Sequence, residues 1–310
     1  MKERAEAMVL ASFAADAHAL GAHWIYDTEE IERRFGSVDS LLAPPSDGFH
    51  SGKSRGSFTH YGDQMMLFLR CLARQGKFSA SEFAADWRTS MLEYDGYIDH
   101  ATRDTLATMN DSTELTQSGS GSTDLAGAAR IAPLAYLYRD HHTELVAAAA
   151  EQASITHNSP IVIEASSMLG DLLWHILNGH TPTASLRSTL DRDEFPLTKE
   201  LIRVGLDSVG EETITFAKRI GQHCATEAAL PLSVHLIATH EGSLKSALMA
   251  NVAAGGDSAA RGIVIGMVLA AFHGREAIPD EWLEDLRAYR EIVSLLEDLE
   301  ARLHRNSLSA

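Results

Sequence analysis

Every fourth residue from 262 to 274 is small: Gly262, Gly266, Ala270 and Gly274 punctuate the apolar run Ile263-Val264-Ile265-Gly266-Met267-Val268-Leu269-Ala270. That spacing places the small residues on one face of an α-helix, where a second backbone can approach closely. A chain with such an element folds around it as a core helix. Just before it, Ala253-Ala254-Gly255-Gly256-Asp257-Ser258 forms a polar turn, so Asp257, Ser258 and Arg261 belong together at a rigidly held helix N-terminus. The glycines allow a tight backbone, and free N–H groups at a helix start favour an anion. Asp257 therefore has two readings: an N-cap, or an oxygen ligand for a hard cation such as Mg²⁺.

Helical rather than alternating periodicity recurs through the rest of the chain. Ile161, Ala165, Met168, Leu169, Leu172 and Ile176 mark one amphipathic helix, stopped by Asn178-Gly179. Met65, Leu69 and Leu72 mark another before Gln75-Gly76, and a long stripe from Trp282 to Leu303 predicts a C-terminal helix starting after Pro279-Asp280. No strand pair is evident, so the fold class is all-α. No linker or composition break divides the chain, which predicts a single domain over residues 1–310. Ser118 to Ser122 and Ser37 to Gly62 read as irregular segments, and loops of the second length are often functional.

A hydrophobic content of 45% supports a substantial core. The net charge of −17, with no run of Lys or Arg, opposes binding to nucleic acid or to an anionic membrane. Any anionic ligand must then be held locally. The cysteines Cys71 and Cys224 have no metal-type spacing and read as reduced core residues of a cytoplasmic protein. Lys2 and Arg4 before an apolar run faintly mimic a signal peptide, but Glu3, Glu6 and Asp16 oppose that reading. No apolar run reaches the roughly 20 residues of a membrane span.

Polar residues interrupt this apolar pattern at a few places. Asp16 lies among alanines and is either paired in the interior or on a surface-facing side. His23-Trp24-Ile25-Tyr26-Asp27 suits a core corner or a pocket wall. Tyr61-Gly62-Asp63-Gln64 leads into a helix, so Asp63 is a simple cap or half of a polar site built between helix starts. Asp124 and Arg130 suit a helix pair, or Arg130 a bidentate phosphate contact. His157, in a loop before the amphipathic helix, is structural or a titrating site residue. None of the fifteen histidines has His-Glu-x-x-His spacing, and neither a Gly-x-Ser-x-Gly elbow nor Gly-x-Gly-x-x-Gly is present.

In order, Ala15-Asp16-Ala17, Tyr61-Gly62-Asp63-Gln64, Arg130-Ile131-Ala132-Pro133-Leu134, Thr156-His157-Asn158-Ser159-Pro160, Gly255-Gly256-Asp257-Ser258 and Ile278-Pro279-Asp280-Glu281-Trp282 resemble the ADP-ribosylglycohydrolase family nearly end to end. The segment from His23 to Asp27 is nearest to its J-crystallin branch. The resemblance implies a compact all-α domain with two Mg²⁺ ions in a cleft, hydrolysing an N- or O-glycosidic bond of an ADP-ribose-type small molecule or ADP-ribosylated substrate. Asp63 and Asp257 match two of the family's metal-binding aspartates, but one aspartate of the pair is missing from each motif. The expected site therefore holds one Mg²⁺ or none. Its catalytic candidates are Asp63, Asp257 and Arg261, and Asp16, Tyr61, Gln64, Asp124, His157 and Ser258 are candidates to bind substrate. The alternative is a non-catalytic nucleotide-binding or crystallin-like structural protein. The oligomeric state is open.

Overall fold

The protein, described here over residues 1–309 by a computed structural model, is built of α-helices with no β-strand among the described residues, only isolated bridges. The first half contains α1 (Lys2–Ala19), α2 (Thr28–Phe35), α3 (His60–Gln75), α4 (Ala80–Leu92), α5 (His100–Asp111), α6 (Ala126–Ala129), α7 (Ala132–Leu137) and α8 (His142–Thr156). The second contains α9 (Pro160–Leu177), α10 (Pro182–Thr189), α11 (Lys199–Asp207), α12 (Thr213–Ile220), α13 (Thr226–Thr239), α14 (Leu244–Ala253), α15 (Ser258–His273), α16 (Asp280–Asp285) and α17 (Tyr289–Ser309).

The helix with the small-residue face, α15, is the axis of the molecule. It is buried from Ser258 to Ala271 and packs against α1, α9, α13 and α14. A Cβ at Gly266 would lie 2.7 Å from the Ala11 carbonyl oxygen and 2.9 Å from the Ala15 Cβ. The stripe therefore seats α1 directly on α15. Because α1 is itself buried from Ala7 to Ala19, Asp16 is carried into the interior with it. Gly274 does not extend the stripe, for it is the C-cap, at φ 80°.

The stops at Asn178 and Gly76 fall where the sequence places them. The C-terminal stripe departs from a single helix: α16 ends at Asp285, Leu286 is extended, and α17 begins at Tyr289. At the break the Arg287 N–H donates to the Gly56 carbonyl at 3.1 Å. A tertiary bond thus replaces a helical one, which periodicity does not register. The stretch from 37 to 59 contains no helix. Helix α9 is long and apolar enough to cross a membrane by length and composition, but 61% of it is buried inside the fold.

Gly266→Ala is expected to destabilise the protein by about 1–3 kcal/mol, because the added methyl meets backbone and the helices must part. Gly121→Ala, whose Cβ would meet nothing within 4 Å, should change stability by no more than about 0.5 kcal/mol. Urea unfolding of the two variants measures the difference.

Candidate functional site

The turn before α15 is fixed from several sides. Gly255 and Gly256 adopt φ of 72° and 70°, in the left-handed region that favours glycine. The Arg261 guanidinium, fully buried one helical turn later, donates to the Gly255 carbonyl at 2.6 Å, to Asn251 Oδ1 at 3.0 Å and to the Gln222 carbonyl at 3.3 Å. The Asp257 N–H donates to the same Gln222 carbonyl at 2.8 Å. On the other side, the Gly256 N–H donates to Ile25 and the Trp24 N–H to Gly256, at 2.8 and 2.9 Å. Trp24 is held at φ 66°, the sole non-glycine residue with positive φ among those described. Strain of this kind persists where the surroundings over-determine the backbone.

These contacts place Asp257 in the interior, 0% exposed. It occupies the N-cap position of α15, yet its side chain makes no capping bond. Its Oδ2 instead accepts from Trp24 Nε1 at 3.1 Å and from the Tyr61 hydroxyl at 2.9 Å. The Tyr61 hydroxyl also lies 3.1 Å from Asp124 Oδ2, bridging the two carboxyl groups. Asp124 Oδ1 accepts from the Ala126 N–H at 2.8 Å. Asp257 Oδ1 has no partner. Burial, and then the charge of Asp257, raise the Asp124 carboxyl to about 7. Burial first, then both carboxylates, hold the Tyr61 phenol well above its ordinary range. The Asp124 carboxyl therefore titrates near neutral pH rather than in the ordinary carboxylate range.

Of the residues selected from sequence, Tyr61, Asp124 and Asp257 meet in this cluster. Asp63 lies elsewhere, bound to Lys53 Nζ and to the Tyr94 hydroxyl, each at 2.5 Å, in a separate surface cavity of about 360 Å³. It is not a cap either, since Thr59 caps α3. Arg261 does not face an open cleft; it clamps carbonyl oxygens, and burial lowers it to about 10, so it stays charged. Asp16 accepts from the Thr59 N–H at 2.8 Å and hydroxyl at 2.6 Å, and burial raises it to about 7. Gln64 joins Trp87, Thr102 and Arg130. Arg130 is buried on Gln64 and Thr156 rather than paired with Asp124 or free for phosphate. His157 shares a 2.9 Å bond with Thr156, and burial lowers it to about 3, leaving it neutral. The Ser258 carbonyl accepts from Asn251, and its buried hydroxyl has no partner.

Two groups of described side chains bring ligand atoms within 4.8 Å of one another, and the one at this site is Asp124, Cys224 and Asp257. That set does not fit a two-magnesium centre. Asp63 is absent from it, and a thiol is a poor ligand for Mg²⁺. Space is a second obstacle: a Cβ at Gly62 would collide with the Asp16 carboxylate and come within 2.8 Å of the Phe58 Cβ. An aspartate at position 62 would require the Asp16 carboxylate and Phe58 to shift. Ala259 and Ala260, where the second motif lacks its aspartate, are buried and carry no oxygen.

Sequence reasoning missed Cys224 as a site residue, and it placed Trp24 only in a corner or wall. Cys224 follows Gln222 in a loop without a motif; only its proximity to the two carboxyls, which with burial raise its thiol, reveals it. Around Trp24 stand Phe49 and Tyr97, with ring centroids 5.0 Å away, and His23, His50 and His60. Phe49 is 64% exposed, so this aromatic wall reaches solvent.

The sequence profile described as ADP-ribosylglycohydrolase matches residues 1–308. Crystallin J1A of Tripedalia cystophora is 23% identical over 96% of each chain. Crystallin J1B of the same organism is 21% identical over 94% of this chain and 95% of its own. A solved structure titled ADP-ribosylglycohydrolase-related protein complex superposes with a TM-score of 0.80 at 20% identity, covering 97% of this chain and 98% of that one, a likeness of fold.

Asp16 and Asp124 keep their protons to about 7 in the folded chain, against an ordinary 3.8. Between those values the folded state binds more protons than the unfolded one, so the stability they contribute is present at low pH and lost as pH rises towards 7. Buried neutral histidines such as His18 and His157, lowered to about 4 and about 3, act in the opposite sense. The readout is therefore a difference: from pH 4.5 to 7.5 the urea midpoint of the unsubstituted chain should fall relative to that of D16N or D124N.

Proposed function

The chain belongs to the ADP-ribosylglycohydrolase family, and we propose that it hydrolyses an N- or O-glycosidic bond of an ADP-ribose-type substrate using a carboxyl pair rather than a two-magnesium centre. The observation that carries this reading is the unpartnered Asp257 Oδ1, buried beside Asp124 and Tyr61. Buried polar atoms are nearly always hydrogen-bonded. A sugar hydroxyl is the donor this oxygen lacks, and Trp24 and Tyr61 hold the other oxygen so that Oδ1 stays directed at the ligand.

Glycosidic bonds are cleaved by a protonated carboxyl group and a carboxylate acting together on an oxocarbenium-like centre. Asp124, raised to about 7 by burial and by Asp257, is the acid that protonates the leaving group. Asp257 is the carboxylate that steadies positive charge on the sugar. Water then attacks the anomeric carbon, and the proton it loses restores Asp124, while the Tyr61 hydroxyl links the two carboxyl groups. Trp24, Phe49 and Tyr97 offer an aromatic wall suited to a planar base.

A second reading, a ligand-binding or structural protein without turnover, is favoured by the relatives named crystallin and by the missing aspartates. Turnover of ADP-ribosylated substrates, followed by release of ADP-ribose in Mg²⁺ and in EDTA, separates the two. The hydrolase reading expects equal rates in both buffers. It also expects a loss of roughly 100-fold or more in D257N, and an alkaline limb near pH 7 that D124N removes. Binding of ADP-ribose by calorimetry without any turnover establishes the ligand-binding form of the second reading, and neither binding nor turnover overturns the hydrolase reading in favour of the structural form.

A further inference from the structure

A second group of ligating side chains lies away from this site, where the start of α8 crosses the later turns of α9. Asp171 and His175 are four residues apart and share one face of α9. His142 is the first residue of α8, the opposite end from the His157 region, roughly 21 Å along the axis at 1.5 Å per residue. His142 Nε2 lies 2.8 Å from Asp171 Oδ1, and His175 Nε2 lies 3.6 Å from the same oxygen. One ligand atom from each residue falls within 4.8 Å of the others.

We propose that His142, Asp171 and His175 form a binding site for a divalent transition metal of the zinc class. Two imidazoles and a carboxylate are a donor set that such ions take, with ligand distances of about 2.0–2.2 Å and tetrahedral geometry. Ligand atoms around such an ion are spaced by roughly 3.3 Å, and the 2.8 and 3.6 Å separations here bracket that value.

The surroundings prepare the ligands. Asp171 is 2% exposed, and its Oδ2 is held by Arg192 Nη2. Arg192 Nη1 reaches Oδ1 at 3.1 Å, the contact a metal replaces. Burial works against ionisation of Asp171, but Arg192 and His142 outweigh it and keep the carboxyl below its ordinary range. Arg192 acts as the outer partner that orients a ligating carboxylate. Three protein ligands leave a fourth position open. His142 and Asp171 both line a cavity of about 470 Å³ with Val146, Ser167, Arg192 and Phe195, from which water or a ligand reaches that position.

The test is titration of the full chain with Zn²⁺ by calorimetry and with Co²⁺ by visible absorption, alongside H142Q/H175Q, D257N and C224S. One metal per chain is expected, with tetrahedral cobalt bands and a melting temperature raised by zinc. Affinity should fall at least tenfold in H142Q/H175Q and stay unchanged in D257N and C224S. The histidines are partly exposed, so the double variant should melt as the metal-free chain does. No metal uptake, uptake undiminished in H142Q/H175Q, or uptake lost in D257N or C224S would each overturn the assignment.

Discussion

The buried guanidinium of Arg261 organises the site. An arginine this deep is expensive to desolvate unless its donors are satisfied, and here they meet Asn251 and the carbonyls of Gln222 and Gly255. In meeting them it ties the end of α14 with its following turn, and the Gln222 loop, to the first turn of α15. Burial works against its charge, and Asp257, which it does not touch, favours that charge through space. The sequence marked Arg261 as a catalytic candidate; its geometry makes it a charge for the protein's own turn. The seating of α1 on α15 complements it, since the same helix pair brings Asp16 and Trp24 to their places.

Loss of one aspartate from each motif is not simple subtraction. At position 62 the missing side chain is linked to a present one: Asp16 occupies the space a Cβ needs, and Thr59 gives it both of its hydrogen bonds. Asp63, left without its neighbour, turns to Lys53 and Tyr94 in another cavity. What remains around Asp257 is a pair of carboxyl groups joined by a tyrosine, with a proton to exchange near neutrality. Such a cluster suits acid–base chemistry or the recognition of hydroxyl groups, and it lacks the oxygen-rich surroundings a pair of hard cations requires.

Asp171 and Asp257 show how environment separates two buried carboxyl groups. Asp171 has Arg192 and imidazoles around it and stays ionised below its ordinary range. Asp257 has a tyrosine and an indole N–H on one oxygen, and its neighbour Asp124 is raised to about 7, first by burial and then by the charge of Asp257. The first arrangement binds α8 to α9; the second leaves an oxygen unsatisfied.

Sequence periodicity by itself determined the all-α class, the central position of α15 and the helix stops at Gly76 and Asn178, because these follow from local rules of spacing and capping. The ordered motifs pointed to the family and to Tyr61 and Asp257, and Asp124 stood out as a polar residue before Arg130, because short-range chemistry is written in short strings. Only tertiary structure decided that Asp257 is not a cap, that Asp63 belongs to a different cavity, and that Cys224 stands beside the carboxyl pair. Each depends on which segments meet across the fold, as Trp24 meets Gly256 or Lys53 meets Asp63, and a linear pattern does not carry those distances. The break between α16 and α17 has the same origin: Gly56 offers the carbonyl, and it lies more than 200 residues away in the chain.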